Sequence, residues 1–413
     1  MKILIAIEEL RTGGAQVFGM RLVQALHERG HEVHLYSHYA AYINHELVQQ
    51  LTPNVPVVAF GLGLPGLDWL SLKVQGVLRR LGKPFPARER LIEKHLRRTL
   101  ERLNVDVLNS HMIKSDYVAT AAAIEAKPSV PVVITMHGCY EDFLHKTSEP
   151  EVIVHARKAL QRAAGLVYLT DKNLEIFSVP GVRPLADIPH AQIYNGFSGK
   201  FSVVLPERAQ LGIAANALVF GMVARGIEQK GWAYAIRSFE ALSEKYPQAH
   251  LVLVGQSEYL SRLKEAHQHL RIHFVGFTVN PIDWVRLFNV GLLPSYFPSE
   301  SLPNSIAEYL FCSIPVIATR IGEIPHMLRV PGRTELAGKI IEQNGYGLTN
   351  PDELTQAMEN YVVQPQLLAA HCLLAQKCFD KFRMKHCVAA YEEIFSNCVN
   401  LNNISTGVVE GSS

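Results

Sequence analysis

Residues 3–7 read Ile-Leu-Ile-Ala-Ile, and runs of this kind recur along the chain with helical patterns between them. A strand with one wet face alternates polar and apolar residues. A strand apolar throughout must be covered on both sides, the condition of a parallel sheet between two layers of helices. Candidate strands fall at 2–7, 32–36, 55–60, 105–109, 130–135, 165–169 and 191–194, with helix-like stretches such as 15–29, 88–103 and 114–126 between them. The pattern weakens over 201–215, where Pro206 and Gly212 sit in a polar stretch, and then restarts. Strands are expected at 218–224, 250–254, 272–275, 290–294 and 315–318, and helices at 232–245, 258–269, 281–289 and 303–312. The chain of 413 residues also exceeds the ~250–300 residues beyond which one core stops growing. The expectation is an α/β protein of two doubly wound Rossmann-like domains, 1–200 and 201–384, facing a central cleft. An amphipathic stretch, 385–398, follows the second series, and 399–413, rich in Asn, Ser and Gly, is expected to be a mobile tail.

Charge and cysteine usage exclude several classes. Forty Lys and Arg against 38 Asp and Glu leave a net charge of +2, which argues against nucleic acid as a partner. No apolar run approaches the roughly 20 residues that span a bilayer. The opening apolar stretch is cut off by Glu8 and Glu9, so it makes no signal-peptide core, and a cytoplasmic location is expected. Cys139, Cys312, Cys372, Cys378, Cys387 and Cys398 contain no Cys-x-x-Cys pair and read as small buried hydrophobes.

Two patterns are decoys. Gly61-Leu-Gly63-Leu-Pro-Gly66 has the dinucleotide-binding spelling, but Pro65 removes a donor that a phosphate would need. About 20 residues on, where a ribose-binding acid belongs, stand Arg79 and Arg80. His27, His31, His34 and His38 straddle a helix end at Gly30 and cannot share one face, so they read as solvent-facing or strand-end residues.

Three features fall where strands turn into helices. Gly13-Gly14 follows the first strand and opens a helix, where free amides attract anions. Arg225 and Lys230, before Gly231, follow the first strand of the second series and can set two cations over a diphosphate. Glu300-Ser-Leu-Pro-Asn-Ser-Ile-Ala-Glu308 places one carboxylate in a loop and a second inside the helix that Pro303 should start. His137, in Thr135-Met-His137-Gly138, ends a candidate strand where it could meet a substrate hydroxyl, and His111 is a weaker candidate of the same kind, on the acceptor side.

Those residues resemble the retaining, nucleotide-sugar-dependent glycosyltransferases of family 4, which have the two-Rossmann-domain GT-B fold. The resemblance covers essentially the whole chain and is strongest over 220–328. It rests on Glu300 and Glu308 with the preceding Pro298-Ser299, on Arg225 with Lys230-Gly231, and on Gly13-Gly14, His137-Gly138 and Tyr194-Asn195-Gly196. The resemblance implies that Arg225 and Lys230 neutralise the donor diphosphate, that Glu308 holds the ribose and that Glu300 contacts the transferred sugar. It further implies that Ser301, Leu302, Pro303 and Asn304 hold the distal phosphate through their loop, and that Gly14 closes over the phosphates. His137 would touch the sugar, Val275-Gly276-Phe277 would lie beside the base, Asn195 would serve the donor, and the final helix would return to the first domain. The donor would be a UDP-sugar by preference and the acceptor a glycan or a lipid-pyrophosphate-linked one, in bacterial surface polysaccharide or glycolipid synthesis.

No Asp-x-Asp occurs, so no metal or other cofactor is expected. Where relatives read Gly-Gly-x-Pro-Glu, this chain has Gly322-Glu323-Ile324-Pro325-His326, a local departure. Over 69–102, Lys73, Arg79, Arg80, Lys83, Arg88, Arg90, Lys94, Arg97, Arg98 and Arg102 accompany an apolar face of Leu70, Leu72, Val74, Val77, Leu78 and Leu81. That suits an anionic surface, and predicts peripheral association with the inner face of the plasma membrane. The alternatives are a nucleotide-sugar 2-epimerase on the same architecture and an inactive homologue acting as a binding subunit.

Overall fold

The computed structural model describes residues 1–63, 65–80, 87–138, 140 and 150–406. They form two compact units, one made of Met1–Gly196 with the chain from Met384 onward, the other of Phe197–Arg383.

The first unit is built on seven strands: β1 (Lys2–Ile7), β2 (Glu32–Ser37), β3 (Val57–Ala59), β4 (Val107–His111), β5 (Val132–Met136), β6 (Gly165–Tyr168) and β7 (His190–Gln192). They lie in the order β3-β2-β1-β4-β5-β6-β7, every pairing parallel. Because successive side chains of a strand point to opposite faces, the apolar run of β1 feeds two cores at once. Leu4 and Ala6 pack with Ile92, Leu96, Val118, Ala122 and Leu160 on one face. Ile3, Ile5 and Ile7 pack with Phe18, Leu22, Leu26, Tyr391 and Phe395 on the other. Full burial of such a side chain stabilises the fold by about 1.5–3 kcal/mol. The second face is covered by the Gly14–Glu28 helix together with the last helix, Met384–Thr406, which brings the end of the chain back onto this sheet.

The second unit carries β8 (Leu218–Val223), β9 (Ala249–Val254), β10 (Ile272–Gly276), β11 (Val290–Leu293), β12 (Val316–Thr319) and β13 (Gly338–Ile341), in the order β10-β9-β8-β11-β12-β13. Trp232, Ile236, Phe239 and Leu242 from the Trp232–Lys245 helix pack on this sheet with Leu354, Met358 and Tyr361 from Pro351–Val363. Both sheets therefore have the Rossmann order, with strand order reversing between β1 and β4 and again between β8 and β11.

Some elements differ from the sequence reading. The expected helix over 281–289 is only Ile282–Val285, because Asn289 must bond the backbone of Val219 to begin β11. The helix begun at Glu258 stops at Ala266. The segment from 399, expected as a tail, is helical to Thr406, and 407–413 lie outside the described residues. β13 and the helices Pro65–Arg80, Pro351–Val363 and Pro365–Phe379 had no counterpart among the expected elements.

The loop spelled Gly-x-Gly follows β3 and is closed from within, Leu62 N donating to Asp68 Oδ2 at 3.0 Å. Burial pushes the thiols of Cys387 and Cys398 up to about 12 and that of Cys378 to about 11, so all three are inert at neutral pH. Cys139 lies outside the described residues. Among the described residues no helix is long and apolar enough to cross a membrane.

Candidate functional site

Ligands of open α/β sheets bind beyond the carboxyl ends of the strands at the point of order reversal. In the first unit those ends are β1, followed by Gly13 and Gly14, and β4, which ends on His111. His111 is fully buried, with Nε2 at 2.8 Å from Asn109 Oδ1 and Nδ1 at 2.8 Å from His137 Nε2. The two imidazoles stack at 5.0 Å, and Phe18 meets both at 6.1 and 5.7 Å. His111 was expected to face an acceptor. Both its ring nitrogens are bonded to protein, so it has none to offer, and it backs His137 instead. His137, just past β5, is only partly buried. Burial pushes its pKa down to about 3, and burial together with the neighbouring His137 holds His111 well below the ordinary 6.5. Met112, directly after His111, has φ 77°, a strained conformation for a residue with a side chain. Such strain costs on the order of 1–3 kcal/mol and gathers at functional sites. Asn195 is buried, and its Oδ1 has no hydrogen-bond partner among the described residues.

In the second unit, β8 delivers Arg225 and Lys230, and β11 delivers the loop to Glu300. Lys230 Nζ donates to Glu300 Oε2 at 2.5 Å, with both side chains buried. The sequence had given these two residues separate partners. Ser295 Oγ donates to the same carboxylate oxygen at 2.7 Å. Burial lowers the pKa of Lys230, helped by the charge of Arg225, while Glu300 opposes the shift. Arg225 is exposed, and its guanidinium and the Lys230 ammonium each lie 5.1 Å from the Phe297 ring, so both cations share one aromatic face.

Ser301, Leu302 and Pro303 are buried ahead of the Asn304–Phe311 helix, and Ser301 Oγ has no hydrogen-bond partner among the described residues. Glu308 is buried one turn before the end of that helix. Val275 and Gly276 end β10, Gly276 O accepting from Gly255 N at 3.0 Å, and Phe277 beyond them is exposed. Two glycines set this loop. A Cβ on Gly231, whose φ is 84°, would lie 2.1 Å from Pro294 O. A Cβ on Gly322, at φ 51°, would lie 2.2 Å from Glu300 O, and Glu323 N donates to Ser301 O at 2.9 Å. The departure from the usual Gly-Gly-x-Pro-Glu thus keeps the glycine that presses on the Glu300 loop.

Family models divide along the same lines. One described as Glycosyltransferase Family 4 matches residues 12–172, and one described as Glycosyl transferases group 1 matches 217–363. The chain belongs to the family 4 glycosyltransferases. Among curated family relatives, N-acetyl-alpha-D-glucosaminyl L-malate synthase of Bacillus anthracis is 22% identical over 391 residues, 93% of each chain. An uncharacterised glycosyltransferase of Methanocaldococcus jannaschii is 32% identical over 129 residues, 30% of this chain and 31% of its own length. In fold, the chain is similar to Anabaena HepE in complex with UDP, with TM-score 0.71 and 21% identity over 96% of this chain and 100% of that one.

Sequence reasoning missed Ser295, Phe297, Asn109 and Tyr391. Ser295 and Phe297 stand within five residues of Glu300, so their position was a usable signal. Asn109, two residues before His111 on β4, lies on the same strand face and was a usable signal too, whereas Tyr391 reaches Thr135 only across 256 residues. Arg88 was counted toward a basic surface, but it is buried, bonded to Asp68 Oδ1 at 2.9 Å beside Phe60 and Tyr39. Lys83 and Leu81 lie outside the described residues.

Proposed function

We propose that this family 4 glycosyltransferase moves a hexosyl group, with retention and without a metal ion, from a UDP-sugar to a glycan or lipid-pyrophosphate-linked acceptor in bacterial surface polysaccharide or glycolipid synthesis. The observation that carries the reading is a buried cation, Lys230, bonded to Glu300 in the loop that runs through Ser301, whose hydroxyl has no partner among the described residues, into the Asn304–Phe311 helix. A helix start presents amides that lack helical acceptors, and with a fixed cation it suits a phosphate. The UDP named for the Anabaena structure supports the choice of base.

In this reading Lys230 and Arg225 stabilise the departing diphosphate, the electrostatic contribution that usually dominates such catalysis. Glu308 holds the ribose and Glu300 the transferred sugar, with Ser295 and Lys230 fixing the Glu300 carboxylate. Val275, Gly276 and Phe277 flank the base, Gly13, Gly14 and Asn195 serve the donor, and His137 meets a sugar hydroxyl. The acceptor oxygen bonds to the anomeric carbon on the face from which the phosphate oxygen leaves, and its proton passes to that oxygen.

Membrane attachment through the Pro65–Arg80 helix is part of the proposal. Leu67, Trp69, Leu70, Val74 and Val77 are exposed there, and Lys73 lies 4.7 Å from the Trp69 ring. Flotation with anionic vesicles at low salt is expected to carry the protein, and absence of binding removes this element.

Thermal shift with UDP, GDP, ADP and CMP tests the donor site. A ligand at a hundred times its dissociation constant adds about 2.7 kcal/mol, and Lys230→Ala is expected to abolish the UDP response. No shift with any nucleotide overturns the assignment. Interconversion of a nucleotide sugar without an acceptor would mark an isomerase.

A further inference from the structure

The hydrogen bonds around His137 admit one arrangement of protons, and it begins at Asn109. Val133 O can only accept, and it lies 2.8 Å from Asn109 Nδ2, so the amide nitrogen is the atom on that side. The second amide proton points to Thr135 Oγ1 at 3.0 Å. Asn109 Oδ1 therefore faces His111 Nε2, and since a carbonyl oxygen only accepts, His111 carries its proton on Nε2. A neutral His111 then has a bare Nδ1, which accepts from His137 Nε2–H at 2.8 Å. A neutral His137 is left with its lone pair on Nδ1.

The surroundings keep both rings neutral. Phe18 packs on them from the Gly14–Glu28 helix, β4 and β5 contribute Asn109 and Thr135, and the last helix contributes Tyr391, bonded to Thr135 Oγ1 at 3.1 Å. Tyr391 is the one ionisable neighbour in that set besides the histidines, and burial holds its phenol protonated. All of these groups except His137 are buried, so solvent does not offer the chain an alternative partner.

We infer that Asn109 is a positioning residue that acts through His111 to hold His137 in its Nε2–H tautomer, so that His137 presents the substrate with an acceptor, Nδ1. An acceptor takes a hydrogen bond from a sugar hydroxyl and repels a phosphate oxygen. This rests on the reading of His137 as a sugar contact, but the proton arrangement stands or falls by itself. The register explains why the relay exists. His111 pairs with Thr135 across β4 and β5, which leaves His137 two residues beyond the paired position, over the end of β4. At metal-bound histidines, loss of the orienting partner costs roughly 10–100-fold in function, and the same scale is expected here.

Long-range proton–nitrogen NMR of the full-length protein labelled with 15N-histidine reads the tautomers directly. Both rings are expected as neutral Nε2–H forms at neutral pH, assigned with His111→Gln and His137→Gln. Asn109→Leu removes the acceptor and is expected to mix the tautomers of both rings. Asn109→Asp, measured at a pH where its buried carboxyl is protonated and donates to Val133 O, keeps an acceptor for His111 and is expected to retain the Nε2–H form, which separates loss of the relay from general damage. An Nδ1–H form on either ring in the wild type, or unchanged tautomers in a folded Asn109→Leu, overturns the inference. Added UDP-glucose is expected to shift the His137 Nδ1 resonance where UDP alone does not. If neither moves it while the Lys230-dependent thermal shift persists, the tautomer assignment stands and the substrate role of His137 is overturned.

Discussion

At the end of β4 the first unit buries Asn109, His111 and Thr135 and links them to His137 without a formal charge. At the end of β11 the second unit buries Lys230 against Glu300, a full ion pair. Both sites occupy the same position in the same topology, so the fold does not explain the contrast. Taking two charges out of water costs several kcal/mol per ion, which apolar residues would avoid. A site that keeps such a pair is suited to a ligand that is itself charged. A neutral network costs little when every polar atom is satisfied, and it can settle where one proton sits.

The largest expected break is Lys230→Ala. It leaves the Glu300 carboxylate buried without its counter-ion, a loss of about 3–5 kcal/mol, and should lower sugar transfer by roughly 10²–10³-fold. Lys230→Met combined with Glu300→Gln should restore much of the melting temperature and none of the turnover. Recovery of turnover would place the charge requirement elsewhere. Next is Gly322→Ala, whose Cβ would meet Glu300 O in a left-handed conformation. Strain of about 1–3 kcal/mol should appear as a lower melting temperature and a weaker UDP response. An unchanged UDP response would show that the Glu300 loop tolerates displacement.

The pH dependence of stability sharpens the contrast from the first unit. Asp116 accepts from Ser110 Oγ and Tyr140 Oη, yet burial pushes its pKa from 3.8 up to about 7. The fold holds a proton there that the unfolded chain has lost, so this stabilisation is full below about 3.8 and lost as pH rises through about 7. His38 and His137, pushed down to about 3 by burial, act the other way, and stability falls as pH drops from 6.5 toward 3. The windows overlap between about 3.8 and 6.5, where two histidines outweigh one carboxyl, so melting temperature should peak near 6.5, and Asp116→Asn should steepen the rise below that point and remove the decline from there to about 7. The smallest effect is expected for the exposed Arg225→Ala: within about 0.5 kcal/mol in stability, with weaker UDP binding that also depends less on salt. A large stability loss would mean that Arg225 is structural.

The strands were legible because each apolar run is a local property, and β1 and the Trp232–Lys245 helix sit where the pattern placed them. Gly231, Lys230, Glu300 and Glu308 were legible because glycine before a helix and carboxylates around a loop-to-helix turn are also local. The helices Pro65–Arg80 and Pro365–Phe379 were less so, since only part of each is covered and their apolar stripes are broken.

The sequence by itself determined two parallel sheets and the residue types gathered at their carboxyl ends, because strand burial and turn chemistry are written in neighbouring residues. Tertiary structure alone decided that Lys230 bonds Glu300 across 70 residues, that Arg88 is buried rather than displayed, and that His111 stands behind His137. Those outcomes depend on register and burial. A hydrogen bond's partner, a proton's place and the cost of a charge are set by which atoms the fold brings within 3 Å, and spacing along the chain does not carry that distance.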